Sequence, residues 1–315
     1  MGATLRVGVD ENGLGPRLGP LVVTAASAHV EDDRAPGNGA LARAVSEGLL
    51  GDSKGLVSYR NNALGEAWAR VLVTRNGLVP GTPNAVLEAL LHDDRAWLRA
   101  LCPELHSVQC WGHEDEVFSA NEALLARVAD AASYLENAGV QLLTPRVVVR
   151  CTARLNEALA QGLSRFDVDL HAMEELVAEC MKRASRVEAV CGKVGGRDRY
   201  LDVFRVLPAG EVVFFSEGRA ESVYRFGDRA HVSFIRDADG TDALVGLASL
   251  VGKWVRDLLM DRIVRHHQKL VPGLERVSGY HDPKTAKFVD ATRLSRGRTG
   301  LPGTCFERAK REAPR

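Results

Sequence analysis

An α/β fold is what this sequence predicts. Three observations carry it: short apolar runs of strand length, longer stretches with apolar residues at helical spacing, and the mixing of the two along the whole chain. No internal repeat or low-complexity segment breaks the pattern. At 315 residues, one large domain with an insertion and two domains are both open. With 45% hydrophobic and 26% charged residues the composition is that of a globule with a sizeable core.

The elements follow in order. Leu5-Arg6-Val7-Gly8-Val9 reads as a strand that runs into Asp10-Glu11 and a turn rich in glycine and proline, Asn12-Gly13-Leu14-Gly15-Pro16-Arg17-Leu18-Gly19-Pro20. Leu21-Val22-Val23 resumes as strand. Residues 31–39 are polar and carry Gly and Pro, hence a loop. A short helical stretch precedes Gly51-Asp52-Ser53-Lys54, and 62–72 returns to helical spacing. From 80 to 138, Val86, Leu90, Leu91, Trp97, Leu98 and Leu101, then 124–135, have the three-and-four spacing of amphipathic helices. Residues 140–149 read as strand with Pro145 marking an edge or a break. Helices are expected over 156–163 and 169–183, a strand over 187–191, a loop over 192–197, and strands over 211–215 and 231–235. The longest helix, 241–267, has Leu244, Leu247, Val251, Val255, Leu258 and Ile263 in its core stripe. The domain reading is a discontinuous main domain, 1–79 and 140–292, with a helical insertion at 80–139 and a basic tail at 293–315.

The net charge is zero, so nucleic-acid binding requires local basic clusters. The tail supplies one in Arg293, Arg296, Arg298, Arg308, Lys310, Arg311 and Arg315, diluted by Asp290, Glu307 and Glu312; a solvated, partly disordered tail is its default reading. No apolar run approaches the ~18 residues of a membrane span. Met1-Gly2-Ala3-Thr4 leads straight into the strand, so no signal peptide is expected. Six cysteines without a Cys-x-x-Cys pair read as reduced thiols of a cytoplasmic protein.

Adjacent carboxylates at a strand end repel unless a cation neutralises them, which makes Asp10 and Glu11 the first candidates for chemistry. The glycines after them superficially match a dinucleotide fingerprint, but Pro16 and Pro20 interrupt the required helix and the acids would face the pyrophosphate. A second acidic spot, Arg236-Asp237-Ala238-Asp239-Gly240, sits between a strand and the long helix. Helix capping explains acids there. So does a divalent-metal site for phosphoryl transfer, in which carboxylates hold hard Mg2+ or Mn2+ ions ~3.5–4 Å apart.

Asp10-Glu11-x-Gly13-x-Gly15-Pro16-x-x-Gly19-Pro20 resembles the opening motif of type 2 ribonucleases H (the ribonuclease HII/HIII family), D-E-A-G-R/K-G-P-x-x-G-P. Asp52-Ser53-Lys54 matches that family's D-S-K segment. Asp239, with Leu247-Ala248-Ser249-Leu250-Val251-Gly252-Lys253 and Arg256-Asp257, resembles its aspartate-then-helix block, and Gly279-Tyr280 its Gly-Tyr. The resemblance covers about 1–55 and 170–290. It implies a ribonuclease H-like three-layer α/β/α fold around a central mixed sheet. It implies, too, an endonuclease that uses two Mg2+ or Mn2+ ions to cut the RNA strand of RNA/DNA hybrids or DNA with embedded ribonucleotides, as a monomer. By position Asp10, Glu11 and Asp239 are the catalytic and metal residues, Asp10 bridging the ions. Gly13, Leu14, Gly15, Lys54, Lys253 and Tyr280 are substrate-binding.

Two departures stand out. The family's third carboxylate falls on Gly192, which has no side-chain oxygen; Glu188, Asp198 and Asp237 are the candidate substitutes. Glu188 lies roughly 13 Å along the strand from position 192. Leu14 replaces the family's Arg or Lys, which removes a charged phosphate contact and leaves backbone contacts to the 2′-hydroxyl, with Arg17 as a candidate replacement. Lys253 reads either as a phosphate contact or as a solvated helix residue, and Arg256 as a further phosphate contact. Tyr280 reads as a stacking platform or as core. His266-His267 read as a cationic cap at a helix end, and Cys191 as a buried thiol. Two other functions remain open beside the nuclease: a non-catalytic hybrid- or RNA-binding relative, and a small-molecule α/β enzyme.

Overall fold

The computed structural model describes residues 4–30, 36–104 and 109–310. Readings that fall on 1–3, on 31–35 and on Arg311, Glu312 and Arg315 lie outside the described residues. The chain opens with β1 (Thr4–Asn12) and β2 (Leu21–Val30), followed by α1 (Pro36–Ser46), α2 (Ser53–Leu56) and α3 (Ala63–Arg75). The 80–139 segment contributes α4 (Pro83–Leu90), α5 (Arg95–Arg99) and α6 (Glu122–Asn137). Then come β3 (Val140–Leu142), β4 (Arg146–Arg150), α7 (Thr152–Ala160), α8 (Arg165–Arg183) and β5 (Val187–Gly192). A meander, β6 (Val212–Glu217), β7 (Glu221–Phe226) and β8 (Ala230–Ile235), leads into α9 (Ala243–Leu270). α10 (Pro283–Ala291), α11 (Arg293–Thr299) and α12 (Gly303–Phe306) close the fold.

The sheet is mixed, in the order β3-β2-β1-β5-β8-β7-β6, with β4 also pairing β2. Its centre, β1-β5-β8, is parallel, and the flanks are antiparallel. Side chains alternate between faces along β1. Leu5, Val7 and Val9 join one core with Leu170, Met173 and Leu176 of α8. The opposite face carries α9, and Gly8 lets it come close: a Cβ there would stand 2.2 Å from the backbone of Leu244 and Val245. Helices thus cover both faces, the three-layer arrangement.

The second core joins α9 to α3 and to the 80–139 helices through Trp68, Leu72, Val86, Leu87, Val128, Leu135, Leu247 and Val251. Glu66 of α3 ties the segment down by accepting from the backbone of Ser119 and Ala120 (2.9 Å each). No helix among the described residues is long and apolar enough to cross a membrane.

Several expectations need correcting. The chain is already helical from Pro36, inside the predicted 31–39 loop. The run 140–149 does break at Pro145, one of the two outcomes expected there, into β3 and β4, because proline cannot donate to the ladder. β7 was missed; Ser222, Tyr224 and Phe226 alternate inward there, but charged neighbours mask the period. The 293–310 part of the tail is not solvated disorder. Leu301 and Phe306 pack on Phe288, Met260 and Ile263, and Arg308 is buried. His266-His267 are not a cationic cap: α9 runs on to Leu270, and His267 is buried with Nε2 3.0 Å from Gln109 Oε1. Burial, reinforced by His266 and Arg296, pushes its pKa down to about 3, so the ring is neutral.

Candidate active site

The parallel centre of the sheet positions the acids. Val9 pairs with Cys191 and Gly192 with Ile235, so Asp10, Gly192 and the turn after β8 meet at the C-terminal ends of the central strands. They line a cleft of about 480 Å³ together with Glu11 and Asp239. Its other walls are the Gly13-Leu14-Gly15 turn, Lys54, Lys253 and Tyr280. Every residue that the resemblance implies as catalytic, metal-holding or substrate-binding therefore lines one space; the further candidates Arg17 and Arg256 do not. Asp239 sits in a short 3-10 turn, and the cap of α9 is instead Asp242, which accepts from Leu244 and Val245 (2.9 and 3.0 Å). Capping does not account for Asp239.

Local structure fixes the walls. Gly13 has φ +94°, and a Cβ there would stand 2.6 Å from Arg256 Nε, so only glycine fits without strain. Arg308 holds the turn from below, donating to the carbonyls of Gly13 (2.7 Å), Leu14 (3.2 Å) and Gly19 (2.9 Å). Arg17 is committed to Glu307 at 2.6 Å and does not replace the cation that Leu14 lacks. Asp52 caps α2, accepting from Lys54 N at 2.9 Å, which sets Ser53 inward and leaves Lys54 exposed. Lys253 is not a solvated helix residue: its Nζ donates to Ser53 Oγ (2.6 Å), itself 2.7 Å from Ser249 Oγ. Arg256 does not read as an open phosphate contact. It is buried, donates to Ser278 O (2.9 Å), and lies 4.9 Å from the centroid of the Tyr280 ring, which is 47% exposed rather than core.

Charge at these strand ends is only partly compensated. Burial and the Asp239 charge push Asp10 up to about 7, against relief from Ser249 and Lys253. Glu11 is held well above its ordinary value by burial, then by Asp169 and Asp10. Burial pulls Lys253 down, partly offset by Asp10, Asp239 and Asp52. Carboxylates crowded in low dielectric keep their charge when a cation joins them. Their hard oxygens suit Mg2+ or Mn2+, and a Cβ on Gly192 would stand 3.1 Å from Asp10 Oδ1 and 3.7 Å from Glu11 Oε2. Among the described residues no group of three or more His, Cys, Asp or Glu is already gathered as a metal cage. The fit is one of donor chemistry and charge.

None of the three substitutes copies the missing carboxylate. Glu188 pairs with Arg186 (3.0 Å), and Asp198 lies 3.5 Å from Lys193 Nζ. Asp237 lines the cleft but is exposed. Cys191 is a buried thiol, pushed up by burial. The acid that sequence reasoning missed is Asp169 of α8, fully buried and beside Glu11 and Asp10. Its one signal was a charge at the head of the apolar stripe Met173, Leu176, Val177.

No protein-family model and no curated protein matches the chain. Solved structures similar to it are type 2 ribonucleases H, the family whose motifs the sequence resembles. Ribonuclease HII of Archaeoglobus fulgidus, solved in its PCNA complex, is 14% identical with a TM-score of 0.42 over 99% of this chain and 96% of that one. Bst ribonuclease HIII in complex with Mn2+ is 14% identical with a TM-score of 0.45; the match spans 97% of this chain and only 66% of that one. Ribonuclease H2 of Pyrococcus horikoshii OT3 is 16% identical, TM-score 0.37, over 96% and 92%. The chemistry of the cleft follows from its own side chains.

Proposed function

We propose that this chain is a metal-dependent endonuclease of the ribonuclease H type, cutting the RNA strand of RNA/DNA hybrids. The observation that supports it is the convergence of Asp10, Glu11 and Asp239 on one cleft whose remaining walls suit a nucleic-acid backbone. Asp10, Glu11 and Asp239 would hold Mg2+ or Mn2+, which when bound activates a water and stabilises the leaving oxygen. Lys54, exposed at the rim, and Lys253, deeper in, attract backbone phosphates and fix register. The Gly13-Leu14-Gly15 turn lines the cleft, where its backbone would read a ribose 2′-hydroxyl. Tyr280 offers its exposed ring to a sugar or base. The six cysteines are free thiols, in keeping with action in the cytoplasm.

Gly192 favours one second reading, a relative that binds hybrids without cutting them. A labelled RNA/DNA hybrid incubated with Mn2+ or Mg2+ separates the two. Cleavage that Asp10→Asn abolishes supports the nuclease. Binding without cleavage, weakening linearly in log salt, supports the second reading. Absence of any salt-dependent nucleic-acid binding contradicts both and returns a small-molecule enzyme.

A further inference from the structure

The sheet-facing stripe of α8 begins with a residue foreign to a core. Asp169 lies one turn before Met173, which packs with Val9 and Cys191. It is 0% exposed, and neither carboxylate oxygen has a hydrogen-bond partner among the described residues. The same helix shows how it treats a structural acid: Glu174, equally buried, accepts from the backbone N–H groups of Arg205, Val206 and Leu207 at 2.9–3.1 Å. Asp169 has nothing comparable.

Topology sets it behind the cleft wall, at the level of the strand ends. α8 ends at Arg183 and β5 begins at Val187, so the helix runs back along the strand it precedes. From Arg183 to Asp169 the helix climbs ~21 Å, against ~17 Å from Val187 to Gly192 along β5. Asp169 therefore stands near the level where the strands end. Two contacts hold it there. Arg197, just past β5, pairs with Asp167 at 2.7 Å, and Phe166 fills the space over Gly195. Glu11 alternates with Val9 and so leans toward the same α8 side, while Gly192 leaves room beside Asp10 and Glu11.

We propose that Asp169 is a metal ligand of this centre, supplying from α8 the carboxylate that position 192 lacks. The proposal rests on the nuclease or hybrid-binding reading above, in which Asp10, Glu11 and Asp239 hold the ion. Mutual repulsion between Asp169, Glu11 and Asp10 accords with it.

The test is Mn2+ binding by the full chain, followed by titration calorimetry at neutral pH, with no substrate present. Asp169→Asn, nearly isosteric, weakens Mn2+ binding about tenfold or more, and adding Gly192→Asp to that variant restores it. Asp169→Leu, which suits the apolar surroundings, shows the same loss and guards against a folding artefact. If Asp10→Asn loses Mn2+ but both Asp169 variants bind it like the unaltered chain, Asp169 has only a proton or water partner and the assignment is overturned, while the parent reading stands. If the unaltered chain takes up no Mn2+, both fall.

Discussion

Beneath the 80–139 segment, the guanidinium of Arg262 is 1% exposed and fully engaged. Glu116 receives it at 2.6 and 2.9 Å, Asn84 at 3.1 Å, and Arg265 adds a further bond to Glu116 at 2.9 Å. Across α9, Asp10 is buried among Glu11, Asp239 and Asp169, with Lys253, whose Nζ is bonded to Ser53, relieving it only in part. The same chain thus builds one buried cluster of opposite charges and one of like charges. In the first the acid is paired with cations inside the protein; in the second the acids crowd one another with only partial relief.

The largest effect should come from breaking the paired cluster. Arg262→Ala leaves buried Glu116 with Arg265 as its remaining cation and is expected to cost about 3 kcal/mol, read by chemical denaturation with hybrid binding unchanged in the folded fraction. The like-charged cluster should behave in the opposite way. Asp10 is raised from 3.8 to about 7, so the folded state holds its proton more tightly than the unfolded chain. Its contribution is therefore neutral below pH 4 and increasingly destabilising as pH rises from there through 7. In chelator at pH 8, Asp10→Asn should melt a few °C higher than the unaltered chain, with the gap closing as the pH falls. His267, whose stabilising neutrality is lost as pH falls below 6.5, acts equally in both proteins and cancels from the difference. A gap of the same size at pH 5 would contradict the assignment.

Gly192→Asp sharpens the comparison. In chelator it adds a like charge beside Asp10 Oδ1 and lowers the thermal midpoint; in Mn2+ it raises both midpoint and metal affinity, the latter about tenfold. A midpoint lowered under both conditions would mean that position 192 does not face the cation. The smallest effect is expected at the rim. Lys54→Ala should reduce the log–log salt slope of hybrid binding by about 1, with little change in stability.

Much of this site was legible because its parts sit at strand ends and in short motifs. Asp10-Glu11 closes a readable strand, and Asp239 follows one. What escaped has a common cause. Asp169 lies within an ordinary helical pattern, and nothing local says its neighbours are acids from β1. Arg308 looked like part of a solvated basic tail, because its partners are backbone carbonyls of the Gly13–Gly19 turn, which carry no sequence signal. His267 looked cationic for the same reason: Gln109, Phe288 and Phe306 enclose it from distant parts of the chain. Identity is read locally, but burial and pairing are made by the fold.

The most direct test of the central claim is crystallographic: soak crystals in Mn2+ and measure anomalous scattering at the manganese edge. The account predicts a peak among the carboxylates of Asp10, Glu11 and Asp239. A well-soaked crystal with no peak there, or with manganese held only elsewhere, would contradict it.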